Sequence, residues 1–82
     1  MKVTWKCFAR ARELTQKDII AMNLEHGCTV KEGLQKITEC FPSCTSDFLR
    51  RCKVAYKNAY ISVEEKMEED GQYTIIPPIS GG

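Results

Sequence analysis

Between Thr29 and Phe41 the chain carries one sustained helical period, and much of what flanks it alternates with the period of a strand. Val30, Leu34, Ile37 and Phe41 recur at helical spacing and make a single apolar stripe. Thr29 followed by Glu32 is the capping-box arrangement, in which each side chain satisfies the other's backbone amide. Gly33 lies on the striped side, where a missing Cβ permits close packing against a sheet, and Pro42 closes the helix. Thr45 or Ser46 caps a second, short helical turn through Phe48, Leu49 and Cys52. One amphipathic helix cannot bury its own stripe, so the remaining segments must supply a surface for it.

Those segments read as strands. Val3, Trp5 and Cys7 share one face of the opening stretch, while Lys2, Thr4, Lys6 and Phe8 share the other. Phe8 is therefore an aromatic ring on a face with two lysines. Arg10 to Lys17 is polar enough for a turn or short connection, and Ile20, Met22 and Leu24 are in phase within a second strand spanning Asp18 to Leu24. Lys53 to Ile61 reads as a strand broken into a hairpin around Lys57-Asn58, and Asp70-Gly71 is a turn signal. Tyr73 to Ile76 makes the last strand, which stops because Pro77 and Pro78 have no ladder donor. Ile76 has opposite parity to Tyr73 and Ile75, which places it off the core face. The order strand, strand, helix, strands is α+β. It predicts a β-grasp, or ubiquitin-like, fold: a mixed sheet of about four to five strands wrapped over one main helix. Residues 1–76 form that body and residues 77–82 a flexible Gly-Gly tail.

At 82 residues the chain has material for one small core, which disfavours a deep enclosed active site. Twelve basic and eleven acidic side chains leave a net charge of +1. Such a charge creates no field to collect nucleic acid or a membrane surface. No apolar run is long enough to cross a bilayer, and no hydrophobic signal core follows Met1. Five cysteines, Cys7, Cys28, Cys40, Cys44 and Cys52, are an odd number without zinc-ligand spacing. They read as reduced thiols of a cytosolic protein, with no metal site. His26 stands without a nucleophile to serve, and Glu64-Glu65 and Glu68-Glu69, with Lys66 among them, read as a solvated face. No residue set resembles a self-contained catalytic site, so the chain is not expected to be an enzyme by itself.

The C-terminus is the most informative segment. Pro77 and Pro78 stiffen the exit from the sheet, Ile79 offers an apolar anchor, and Ser80, Gly81 and Gly82 carry almost no side-chain bulk. Six extended residues reach roughly 20 Å, enough for a terminal carboxylate to enter a buried site on another protein. Gly-Gly suits a carboxylate that threads a narrow channel to ATP. Conversion to a mixed anhydride with AMP would make it an acyl donor, and sulfide or a persulfide would displace AMP to leave a thiocarboxylate. The plain alternative is a frayed terminus that happens to end in glycine.

The run KCFARAREL from Lys6 to Leu14, Asp70-Gly71, and the closing YTIIPPISGG from Tyr73 to Gly82 together resemble the small, sulfur-carrier subunits of molybdopterin synthase. The resemblance spans the whole chain, and the Pro-Pro-x-Ser-Gly-Gly ending is its specific part. Eukaryotic members are nearest, through the Ile-Pro-Pro-Ile-Ser-Gly-Gly ending and a basic residue near Lys57. Many bacterial members differ at Lys57, where they have Asn, and at Gln72, where they have an acid.

The resemblance implies that a ubiquitin-activating-type adenylyltransferase and sulfurtransferase charges Gly82, first as a glycyl adenylate and then as a thiocarboxylate. ATP is used by that enzyme, and no cofactor is stably bound by this chain. The tail (Pro77, Pro78, Ile79, Ser80, Gly81) would thread into the large subunit of molybdopterin synthase. There, in molybdenum cofactor biosynthesis, cyclic pyranopterin monophosphate takes up two sulfurs to become molybdopterin. The resemblance further implies a heterotetramer, a dimer of large subunits with one small subunit at each end. Phe8, Tyr60 and Ile76 match positions that pack on the large subunit. Within the same fold, the alternatives are a carrier for thiazole synthesis or tRNA thiolation, or a protein modifier. A ubiquitin-like binding module with an inert tail is the alternative of another class.

Overall fold

Thr29 and Glu32 form the reciprocal cap that their spacing calls for. The Glu32 N–H donates to Thr29 Oγ1 at 3.2 Å, and the Thr29 N–H donates to Glu32 Oε1 at 2.8 Å. From this cap α2 (Val30–Cys40) begins. The next two amides, of Val30 and Lys31, donate to the carbonyls of Glu65 and Val63 at 2.8 and 2.9 Å. The loop of residues 62–70 is thereby tied across the start of the helix, and the first-turn donors find protein partners. Met67 from that loop is buried in the core.

The computed structural model describes residues 1–79. Its strands are β1 (Lys2–Cys7), β2 (Ile19–Asn23), β3 (Lys53–Tyr56), β4 (Ala59–Ile61) and β5 (Gln72–Ile76). They form one sheet in the order β2-β1-β5-β3-β4. β1 and β5 pair in parallel with Trp5 opposite Tyr73, and every other pairing is antiparallel. This mixed sheet over helices is the anticipated β-grasp. Lys57 and Asn58 turn β3 into β4 with φ of 51° and 65°, the double left-handed conformation of a tight two-residue hairpin.

One face of the sheet makes the core. Val3, Trp5, Tyr73, Ile75 and Val54 are at most 2% exposed, and Val30, Leu34 and Ile37 of α2 pack with them. Trp5 lies 5.7 Å from Tyr73 between ring centroids and donates its indole N–H to Met22 Sδ. Tyr73 stacks on Tyr56 at 4.3 Å, and its hydroxyl oxygen accepts the Glu68 N–H at 2.8 Å. Tyr56 donates its hydroxyl to Glu68 Oε1 at 2.9 Å. That bond to a carboxylate, ahead of burial, pushes its pKa up to about 12. Gly33 sits directly against Trp5: a Cβ there would stand 2.8 Å from the indole Cζ2 and 2.9 Å from Met67 Sδ.

Two expectations need correction. Arg10 to Lys17 is no loose connection but mostly helix, α1 (Ala9–Thr15). Ala11 is fully buried and Thr15 nearly so, with the Thr15 hydroxyl donating to the Ala11 carbonyl at 2.9 Å. Its inward face is one small residue and one threonine, with Leu14 half-buried, so no apolar stripe announces it. β1 also ends at Cys7, and Phe8 is the extended N-cap residue of α1 rather than a strand residue. The short third helix, α3 (Ser46–Arg51), begins as anticipated, with Thr45 Oγ1 accepting the Phe48 N–H at 3.2 Å.

Gly33→Val should lower unfolding free energy by about 2 kcal/mol, because the added methyls meet the indole of Trp5. A urea unfolding curve that matches the parent's would show that helix and sheet are not in such close contact.

Candidate functional site

β5 leaves the centre of the sheet, between β1 and β3, and its last residue Ile76 pairs with Lys53. Beyond it Pro77 is half-buried, Pro78 is exposed, and Ile79 is 88% exposed. The chain thus presents an apolar side chain to solvent immediately after two residues that cannot extend the ladder. Ser80, Gly81 and Gly82, to which the narrow neck and the reactive carboxylate are assigned, lie outside the described residues.

The face of the sheet away from the helices holds the three residues anticipated as a docking surface. Ile76 is half-buried there. Phe8, 45% exposed, follows Cys7, which pairs with Ile75, so it lies at the level of Ile76 on the neighbouring strand's end. Lys6 on the outer face holds its Nζ 5.1 Å from the Phe8 ring centroid. Tyr60, 66% exposed, pairs with Ala55, two residues along β3 from the partner of Ile76. Lys53 lies over it, with Nζ 5.7 Å from the ring centroid.

The structure adds Ile19 to this set. It is half-exposed and pairs with Lys6 on the same outward face. Its parity, opposite to Ile20, Met22 and Leu24, was the available signal. Phe8, Ile76 and Tyr60 with Ile19 therefore form a broken apolar row across the sheet, beside the point where the tail departs. Exposed apolar side chains collected on one face mark an interaction surface.

Among the described residues the cysteines are mostly withdrawn from solvent. Cys7 and Cys44 are buried, and Cys28 and Cys52 are half-buried. Burial raises the thiol pKa of Cys7 and Cys44, and it pushes that of Cys52 up to about 11. These three thiols stay neutral and fill space. Cys40 is exposed and free. Among the described residues no three His, Cys, Asp or Glu side chains are grouped to hold a metal ion, and no helix is long and apolar enough to cross a membrane. His26 lies at the surface, 3.8 Å from Glu69. A shallow groove of about 480 Å³ runs between α2 and α3 on the helical side, floored by Leu34, Leu49 and Val63.

No family model matches the chain. A molybdopterin synthase sulfur carrier subunit from Arabidopsis thaliana is 36% identical over 76 residues, covering 92% of this chain and 77% of the relative. The crystal structure of the small archaeal modifier protein SAMP1 from Haloferax volcanii superposes with a TM-score of 0.88 at 19% identity, over 100% of both chains. A chain in a complex of subunits 1 and 2 of molybdopterin-converting factor from Helicobacter pylori superposes at 0.67 with 18% identity, again over 100% of both. At these identities the two structures establish the fold.

If the outer row serves contact rather than stability, replacing its most exposed member is harmless to the fold. Tyr60→Ser should change unfolding free energy by no more than about 0.5 kcal/mol, whereas Trp5→Ala should cost about 3–5 kcal/mol. A loss above about 1.5 kcal/mol for Tyr60→Ser in the same denaturation experiment would assign it to the core.

Proposed function

This chain belongs to the family of molybdopterin synthase sulfur carrier subunits, and from that premise we propose that the carboxylate of Gly82 is the group that carries sulfur. The observation that supports this most is the exit of β5. The strand emerges from the middle of the sheet, cannot continue past Pro77 and Pro78, and leads to an Ile79 almost wholly in solvent. A tail placed so can leave the body without disturbing it. In this reading residues 1–76 are the handle and residues 77–82 the reactive arm.

The chemistry follows from what a carboxylate lacks. A carboxylate oxygen of Gly82 attacks the α-phosphorus of ATP on an activating enzyme, pyrophosphate leaves, and an acyl adenylate forms. Hydrosulfide then adds to the acyl carbon and AMP leaves, so one oxygen is replaced by sulfur. Where a persulfide attacks instead, a thiol cleaves the resulting acyl disulfide, forming a disulfide with the donor and releasing the thiocarboxylate. Gly81 and Gly82 have no Cβ to obstruct either step. The thiocarboxylate enters the large subunit of molybdopterin synthase, where its sulfur attacks a side-chain carbon of cyclic pyranopterin monophosphate and an oxygen substituent leaves that carbon. Hydrolysis of the resulting acyl link restores the carboxylate and leaves the sulfur on the pterin. Two charged chains are used for each molybdopterin.

The chain itself is substrate and donor, with catalysis supplied by its partners in the cytosol, and ATP is consumed by the activating enzyme. Phe8, Tyr60 and Ile76 dock the body on the large subunit, one small subunit at each end of a dimer of large subunits. The likeness to an archaeal modifier protein favours a second reading, in which the activated Gly82 is joined to a lysine amine of another protein. That likeness rests on the fold alone.

Intact mass spectrometry separates the two. After incubation with ATP, a sulfur donor and the activating enzyme, the chain should gain the mass of one sulfur in place of one oxygen, localised to Gly82. Failure to charge under conditions that charge an established relative would contradict the carrier reading. Covalent adducts through lysine would support the modifier.

A further inference from the structure

The near-neutral charge of the whole chain conceals a segregated face. Outward positions on the five strands hold Lys2, Lys6 and Lys53, and no Asp or Glu. The acidic side chains lie elsewhere, many of them in the loop of residues 62–70. Lys2 sits nearest to that acid, since its backbone N–H donates to Glu69 Oε2 at 2.9 Å. Lys6 and Lys53 form no ion pair among the described residues. Each instead rests on an exposed aromatic ring, Phe8 and Tyr60 respectively.

Their placement is specific. Lys6 pairs across to Thr74 and Lys53 to Ile76, so the two lysines straddle β5 from its neighbours on either side. Two strand spacings and a two-residue stagger separate their Cα atoms by roughly 12 Å. Any partner that covers Phe8, Ile76 and Tyr60 must also approach both ammonium groups, because they lie on the rings being covered. Removing an ammonium from water without a counter-charge is costly, and an opposed carboxylate compensates it. We propose that this face recognises a protein surface whose apolar patch is rimmed by carboxylates. Lys6 and Lys53 are the residues that read those carboxylates and fix the orientation of the tail. The inference rests on the proposed function, in that the partner tested is the large subunit of molybdopterin synthase.

Such recognition is salt-dependent, whereas contact through the apolar row alone is not. Calorimetric titration of the chain against the large subunit at low and high ionic strength measures the difference. The double variant Lys6→Gln/Lys53→Gln should bind roughly 5- to 20-fold more weakly at low ionic strength and lose most of its salt dependence. Lys6→Glu/Lys53→Glu should be weaker still, Lys6→Arg/Lys53→Arg close to the parent, and Lys31→Gln on the helical side unchanged. Matching urea unfolding curves confirm that the variants fold. Affinity that ignores salt, with the Gln double variant within twofold of the parent, would overturn this inference and leave the proposed function standing. Absence of binding by the unaltered chain would overturn both.

Discussion

The parallel pairing of β1 with β5 is the contact on which the rest of the structure depends. It joins the two ends of the chain at the centre of the sheet, and a parallel pair cannot be closed by a tight turn. The chain between the two strands must therefore include a crossover that covers one face of the sheet. That route carries α2 across the core, with Gly33 against Trp5, and returns through the loop that holds Met67. The same pairing decides where β5 leaves the sheet. A last strand at an edge would release its tail beside unpaired backbone, but β5 is held by β1 as far as Ile75 and by β3 as far as Ile76. The body can be rigid up to the residue at which the arm starts.

The opposite face of the sheet is defined by the same alternation that builds the core. Trp5, Tyr73 and Val54 point inward, so Lys6, Thr74 and Lys53 must point outward. The core thereby sets which residues a partner meets. Of the exposed apolar side chains, Phe8, Ile19 and Tyr60 lie on this side and Ile79 on the exit, while Val63 belongs to the helical side. The charge on this face has one sign because the loop before β5 carries much of the acid.

Much of this was legible from residue spacing. The Thr29–Glu32 box, the stripe of α2, the closeness implied by Gly33, the Lys57-Asn58 hairpin and the outward parity of Ile76 are all local signals. α1 was not legible, because a helix that buries Ala11 and Thr15 has no period to display. The end of β1 at Cys7 was obscured because alternation continues through Phe8, whose backbone is still extended although it caps α1. Ile19 was hidden beside a stronger pattern in Ile20, Met22 and Leu24. The order of the strands and the convergence of Lys6 and Lys53 on β5 are long-range facts that alternation cannot supply. They appear only when the pairing of β1, β5 and β3 is known.

In the proposed function, sulfur reaches the pterin on Gly82. A single-turnover experiment tests it most directly: thiocarboxylated chain bearing labelled sulfur is mixed with the large subunit and cyclic pyranopterin monophosphate, with no other sulfur source. Two equivalents of thiocarboxylate should be consumed for each molybdopterin formed, with the label in the product and an ordinary carboxylate restored on Gly82. Formation of molybdopterin without loss of the thiocarboxylate, or product lacking the label, would contradict it.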